Sequence, residues 1–334
     1  MSAAALDRLL ALLVAAQLAT GLLSLRAGSP PTAPLFVAHG VLGGALLAAI
    51  GVKLYRSVPK ALAARRWGAL AVALLLGLAA AVALAGGFVW VASGRILQVG
   101  PWTLLTLHVI AALALAPIAV IHLAPRRWRV IPLPRRRPGA PLVSRRTALG
   151  TLTLAGIGVV TWAAANALET LAGGMRRFTG SRWLPDGGIP PPTTFFGEAT
   201  DPIDQAGWRL EVRGAVHNPL SLTLDNLAAL GAADERDAVL DCTSGWALRT
   251  DWRGVRLGAV LDAAGVTGRA PQVTVRSVTG WYARMPLAEA RDALLATSVA
   301  GRPLPHGNGA PCRLVAPNRR GLEWVKWVTE VEVG

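Results

Sequence analysis

The stretch Ala238–Gly254, AVLDCTSGWALRTDWRG, sets one of only two cysteines in the chain between an apolar strand-like run and a Gly-Trp pair. No second cysteine or histidine lies close to it in sequence. A zinc site is disfavoured, because neither cysteine has paired Cys or His at metal-ligand spacing. A disulfide between Cys242 and Cys312 fits an oxidising compartment, and spacing alone leaves it open. A lone thiol can instead bind a soft metal whose other ligands come from a cofactor.

Outward from this stretch, residues 173–334 carry strand-like alternation, short helical patterns, most of the acidic residues and frequent turn signals. They predict one α+β globular domain of common size. The residues before them read differently. A chain of 334 residues that is 53% hydrophobic, with positive mean hydropathy, is too apolar for an ordinary soluble protein. Apolar runs near or above the roughly 20 residues needed to cross a bilayer recur at 5–26, 35–56, 68–93, 102–124 and 147–171, and stop after Ala172. The predicted architecture is an all-α transmembrane bundle of five helices followed by the α+β domain. Its parts are a four-helix membrane domain over 1–126, a basic cytoplasmic linker over 127–146, a fifth transmembrane helix over 147–172 and an extracytoplasmic domain over 173–334.

The formal net charge of +15 invites a nucleic-acid reading, but its placement argues for a membrane instead. Lys53, Arg56, Lys60, Arg65 and Arg66 fall between spans two and three. Arg126, Arg127, Arg129, Arg135, Arg136, Arg137, Arg145 and Arg146 fall between spans four and five, whereas the loops after spans one and three carry only Arg26 and Arg95. Basic residues in alternate loops mark the cytoplasmic side. The expectation is a multi-pass protein of a bacterial-type cytoplasmic membrane, in contact with lipid, with its N-terminus inside and residues 173–334 outside. The first span lacks the basic start and cleavage site of a removable signal and is kept as a helix. Span five opens with SRRTAL, Ser144–Leu149. Its adjacent arginines read either as an internal twin-arginine export signal or as two more topology-setting cations. The export route carries folded domains, so on the first reading the outer domain crosses with its cofactor in place.

From Trp208 onward the residues carry a resemblance. The runs WRLEVRGAVHNPLSLTLDNL, LDCTSGWALRTDWRGVRLGAVLDAAGV, PLAEARDALLATSVAGRPLP, GAPCRLVAP and GLEWVKWVTEVEV appear in order over the whole domain. Together they resemble the sulfite-oxidase-like molybdopterin-binding family, which includes periplasmic methionine-sulfoxide reductase catalytic subunits. The resemblance implies that Cys242 supplies a thiolate to molybdenum, whose remaining ligands are a dithiolene and oxygen. The pterin would bring the other sulfurs, so no second protein cysteine is needed. It also implies that Arg313 and Lys326 contact the pterin, cations being suited to its terminal phosphate. Trp252 and Gly254 match a W-x-G motif, the Trp as a packed wall and the Gly for close backbone approach. Cys312 stands where the family usually has an apolar residue and reads as a small buried side chain. Asn308-Gly309 replaces a frequent His-Gly, with His306 two residues earlier; Asn308 is taken as a cofactor-binding position. Thr279-Gly280-Trp281 replaces a frequent DGY, and Phe195-Phe196 is followed by GEAT rather than an arginine. These departures weaken sulfite, a dianion that fixed cations would hold, as the substrate.

Three histidines fall in or near the apolar spans. His39 and His108 lie a few residues in from the outer face, differing in depth by about 3 Å at ~1.5 Å per residue. They are the expected axial ligands of one haem b, since intramembrane histidines are costly enough to be functional by default. Gly40, Gly43 and Gly44 are expected to leave room for the porphyrin. Fourteen residues after His108 comes His122, but fourteen after His39 is Lys53, which reads as a snorkelling anchor. One haem is therefore expected, with His122 near a quinone pocket or the inner interface.

The expected protein is a membrane-anchored molybdenum oxidoreductase exchanging electrons between the quinone pool, a haem b close to the outer domain and a molybdenum centre. The expected reaction is reduction of a small S-oxide or N-oxide by oxygen-atom transfer. Sulfite oxidation, a haem-free anchored molybdoenzyme and a non-catalytic binding module remain as alternatives.

Overall fold

A computed structural model describes residues 1–65, 67–124, 144–194, 198–231, 234–268 and 270–334. Arg66, Phe195-Phe196 and most of the basic linker, including Arg126, Arg127, Arg129, Arg135, Arg136 and Arg137, lie outside the described residues. The chain divides into two compact units, one of Met1–Ser24 with Pro31–Arg182 and one of Leu25–Pro30 with Trp183–Gly334.

The first unit is helical. Its helices are α1 (Ala3–Ser24), α2 (Ala33–Ala63), α3 (Trp67–Ala92), α4 (Leu104–Leu123) and α5 (Arg145–Leu171), with a short hairpin of β1 (Gln98–Val99) and β2 (Trp102–Thr103) before α4. Among the described residues, five helices are long and apolar enough to cross a membrane, with mean hydropathy of 1.6 to 2.5. Their ends follow local chemistry. Thr103 and Ser144 each accept a hydrogen bond from the backbone N–H three residues on, at 3.1 and 3.2 Å, capping α4 and α5. A proline, Pro34, occupies the first turn of α2, where no intrahelical N–H bond is lost.

The glycines of α2 serve helix packing rather than a porphyrin. A Cβ on Gly44 would stand 3.0 Å from the Cα of Gly158 in α5, one on Gly40 would strike the Trp162 indole, and one on Gly43 would strike the Gln17 amide. These are the small-residue contacts that let helices approach closely. Lys53, expected as a lone anchor, pairs with the Asp7 carboxylate of α1. At the other end of the bundle Glu169, buried in the last turn of α5, is held by two arginines. Arg176 donates from Nε at 2.5 Å, and Arg182 pairs with it while donating from Nη2 to the Trp90 and Val91 carbonyls at 2.6 and 2.8 Å. Arg182 thereby satisfies carbonyls that the end of α3 leaves without helical partners.

The second unit is α+β. A five-stranded sheet runs β5 (Leu220–Leu222), β4 (Leu210–Gly214), β13 (Val328–Val333), β8 (Gln272–Ser277), β9 (Tyr282–Pro286), with β13 parallel to β4 and the other pairs antiparallel. A second sheet runs β11 (Arg302–Pro303), β10 (Leu294–Val299), β7 (Trp246–Arg256), β3 (Arg182–Trp183), with β6 (Asp234–Asp241) also on β7 and β12 (Arg313–Val315) on β10. Short helices α6 (Leu224–Ala229), α7 (Leu257–Ala264) and α8 (Leu287–Asp292) connect strands. Trp208, Trp252, Trp324 and Trp327 are buried with the valines and leucines of both sheets. At Gly254 the strands β7 and β10 meet so closely that an added Cβ would overlap the Leu295 carbonyl, so the glycine is required there.

The candidate active-site cleft and a histidine pair

Cys242 owes its position to the hairpin of β6 and β7. The register closes at Asp241 opposite Ala247, and the four residues Cys242–Gly245 turn the chain. Gly245 donates to the Cys242 carbonyl at 3.0 Å, Cys242 donates to the Trp246 carbonyl at 2.8 Å, and Gly245 adopts φ of +105°. From another segment, Arg320 donates from Nη2 to the same Cys242 carbonyl at 3.2 Å while its Nε lies 3.4 Å from the buried Asp241 carboxylate. The turn is fixed from both sides, and the Cys242 side chain lines a cleft.

That cleft encloses about 600 Å³ of empty space open to solvent, bounded in part by Thr193, Trp246, Trp281, Arg313, Trp324 and Lys326. Arg313, on the buried strand β12, stands 5.4 Å over the Trp252 ring and donates from Nη1 to the Asn308 carbonyl at 2.8 Å. Its buried Nε has no protein acceptor. Burial pulls this guanidinium down to about 10, against the opposing charges of Cys242 and Glu198. Lys326 donates from Nζ to the Thr193 and Gly307 carbonyls at 2.8 and 2.6 Å. Burial, reinforced by Arg313, pulls it down to about 8. Two desolvated cations beside a sulfur, one with a donor still to be satisfied, fit a phosphate-bearing pterin.

The thiols differ. Burial raises the Cys242 thiol, while hydrogen bonding to Ser244, whose Oγ is 3.0 Å from Sγ, and the charge of Arg320 oppose that rise. Cys312 is fully buried and pushed up to about 12 by burial alone. Neither cysteine is disulfide-bonded, which removes the disulfide alternative. No group of three or more His, Cys, Asp or Glu able to hold a metal occurs among the described residues.

Other expected site residues stand behind the wall. Trp252 is fully buried beneath Arg313, with its ring 5.5 Å from that of Trp324. Asn308 donates from Nδ2 to the Pro190 carbonyl at 2.9 Å, so its side chain ties down the segment before Thr193 and its carbonyl orients Arg313. His306 lies against the Thr200 carbonyl at 2.9 Å. Arg320 and Glu198 escaped sequence reading. The Arg319-Arg320 pair beside a Gly was the one available signal for the first, and Glu198 had none except its place where an arginine was expected.

In the helical unit, His39 and His108 come together with ring centroids 6.0 Å apart and planes at 90°. Each ring has a hydrogen-bond partner on Nδ1. The Ala83 carbonyl, 2.6 Å from His108 Nδ1, only accepts, so Nδ1 carries the proton. Thr20 Oγ1 lies 2.8 Å from both His39 Nδ1 and the Ala16 carbonyl, and a hydroxyl that donates to that carbonyl is placed to accept from the imidazole. His108 then keeps an Nε2 lone pair, the arrangement of a metal-ligating histidine whose other nitrogen is held by an acceptor, and His39 does the same when Thr20 accepts. Gly21 and Gly87 make room for these rings, an added Cβ standing 3.3 and 3.2 Å from them. His122 lies in the last turn of α4, about 21 Å along the helix from His108.

Residues 197–334 match the family model described as the oxidoreductase molybdopterin binding domain. The protein-methionine-sulfoxide reductase catalytic subunit MsrP of Xanthomonas campestris pv. campestris is 36% identical over 160 residues, 41% of this chain and 50% of that protein. The uncharacterized oxidoreductase YuiH of Bacillus subtilis is 29% identical over 157 residues, 44% of this chain and 79% of that protein. The crystal structure of the sulfane dehydrogenase SoxCD from Paracoccus pantotrophus aligns at 24% identity over 40% of this chain and 39% of that chain, with a TM-score of 0.38. The chain spans about half the length of the MsrP relative, at 50%.

Proposed function

From a C-terminal domain that belongs to the sulfite-oxidase-like molybdopterin-binding oxidoreductase family, we infer a membrane-anchored molybdenum oxidoreductase that reduces an S-oxide or N-oxide. The observation that carries this reading is the opening of Cys242, Arg313 and Lys326 into one cleft. Cys242 would hold the metal through sulfur, and Arg313 and Lys326 would hold the pterin phosphate. The molybdenum group supplies two-electron oxygen-atom transfer when bound. Arg320 fixes the backbone that aims Cys242, Asn308 aims Arg313, and Trp246, Trp281 and Trp324 line the cleft. The MsrP relative supports an S-oxide as the substrate class.

The helices are the membrane anchor in this reading, with the N-terminus and basic loops in the cytoplasm and the cleft outside. His39 and His108 would hold one b-type haem, which would supply single-electron transfer from the quinone pool. The placement of Arg145 and Arg146 supports a role in export or topology. Both fall in the first turn of α5, where cations oppose the helix dipole by about 0.3–1 kcal/mol each, so helix stability does not explain them. Metal and pigment analysis of the detergent-purified protein tests the whole reading. Molybdenum and b-type haem in equal amounts, with oxidation of a reduced viologen by dimethyl sulfoxide, is the expected result. A folded, exported protein without molybdenum would make it a binding module instead.

A further inference from the structure

One charged side chain in the cleft, Glu198, is not among the groups assigned to contact the cofactor. Among the described residues lining it, the ionisable ones are Glu198, Cys242, Arg313 and Lys326. The two cations are fixed to wall carbonyls, Arg313 on Asn308 and Lys326 on Thr193 and Gly307, and are assigned to the pterin phosphate. Glu198 lines the same cleft and supplies the one carboxylate among those described residues. Its carboxylate is not a loose surface group, because Thr279 Oγ1, in the hairpin between β8 and β9, donates to its Oε1. The same hairpin carries Trp281, whose ring lines the cleft and is anchored by Nε1 donating to the Leu322 carbonyl at 2.9 Å. An oriented carboxylate next to an indole repels anions and tolerates neutral or cationic groups.

We propose that Glu198, oriented by Thr279, sets the charge selectivity of the cleft, excluding oxyanions and admitting neutral or cationic S-oxides or N-oxides. The proposal rests on the reading of this cleft as the molybdopterin-bearing substrate site. Specificity arises as much from an unfavourable contact with the wrong ligand as from a favourable one with the right ligand. A dianion brought beside a fixed carboxylate in a partly desolvated cleft is penalised by about tenfold or more in affinity, and a neutral oxide is not.

The test is ligand binding to the holoprotein, read by quenching of the cleft tryptophans, with sulfate as an unreactive dianion, dimethyl sulfoxide as a neutral oxide and tetramethylammonium as a cation. Glu198→Gln should tighten sulfate by about tenfold, loosen tetramethylammonium and move dimethyl sulfoxide by less than about twofold. Thr279→Val, which keeps the charge and releases its orientation, should tighten sulfate by less than Glu198→Gln does. Unchanged sulfate binding in Glu198→Gln, or an equal change for all three ligands, would overturn the proposal. Molybdenum content of each variant confirms that holoprotein is compared. Failure of the functional reading is separate, since wild-type holoprotein that turns over neither S-oxides nor N-oxides while Glu198→Gln still gains sulfate rejects that reading and leaves the selectivity intact.

Discussion

His39 and His108 sit with their rings 6.0 Å apart, each with its Nδ1 in a hydrogen bond, to the Thr20 hydroxyl for the first and to the Ala83 carbonyl for the second. If this pair is a haem site, His39→Ala and His108→Ala should each abolish the b-type absorption bands of purified membranes, while His122→Ala keeps them. Thr20→Val removes only the acceptor and should lower haem retention by about 10–100-fold. Quinone-linked turnover should fall in both alanine variants while viologen-linked turnover persists. A full haem spectrum in His39→Ala would show that the pair merely bridges helices.

The carboxylate of Glu169 is the counter-charge to Arg182, which is itself nearly inaccessible. Glu169→Gln leaves that guanidinium buried without its partner and should cost about 3–5 kcal/mol. Thermal unfolding in detergent measures it. A midpoint unchanged from wild type would mean that the Trp90 and Val91 carbonyls alone hold Arg182.

Lys326 is pulled by burial down to about 8, well below an ordinary lysine. Protonation of the folded cofactor-free domain is therefore resisted relative to the unfolded chain, and the cost of the buried charge is present in full below about pH 8. It is relieved as pH rises from there toward the ordinary lysine range. The cofactor-free domain should gain stability over that window, and retention of the pterin phosphate should weaken over it as the cation is lost. Lys326→Met should flatten both trends, as followed by denaturant unfolding and by molybdenum content after dialysis. A wild-type profile that is flat between pH 8 and 10 would contradict the assignment.

Arg145 and Arg146 stand exposed in the first turn of α5, behind the Ser144 cap. Changing both to lysine preserves charge and helix while erasing an arginine-specific signal. The domain should then stay protected from external protease in spheroplasts. Normal accessibility would show that the pair only sets topology.

Sequence reading reached the helices because their signal is continuous along the chain, as runs of apolar residues long enough to give α1 to α5 regardless of what they face. Cys242 was legible because the surrounding runs carry a family pattern. The pairings across helices were not, since nothing local to Asp7 names Lys53 and nothing local to Glu169 names Arg182. The glycines of α2 misled for the same reason: a gap in side-chain volume is visible in sequence, but whether Trp162, Gln17 or a porphyrin fills it depends on helix rotation. Trp252 and Asn308 were read as cofactor contacts, whereas the fold places their side chains beneath and behind the cleft wall, where they position Arg313 and the segment before Thr193.

X-ray absorption at the molybdenum edge tests most directly whether Cys242 holds molybdenum through sulfur. In Cys242→Ser the metal should lose one sulfur neighbour relative to wild type, because a hard hydroxyl replaces a soft thiolate, while Cys312→Ser leaves the sulfur shell unchanged. An unaltered sulfur shell in Cys242→Ser, or a sulfur lost in Cys312→Ser, would contradict it.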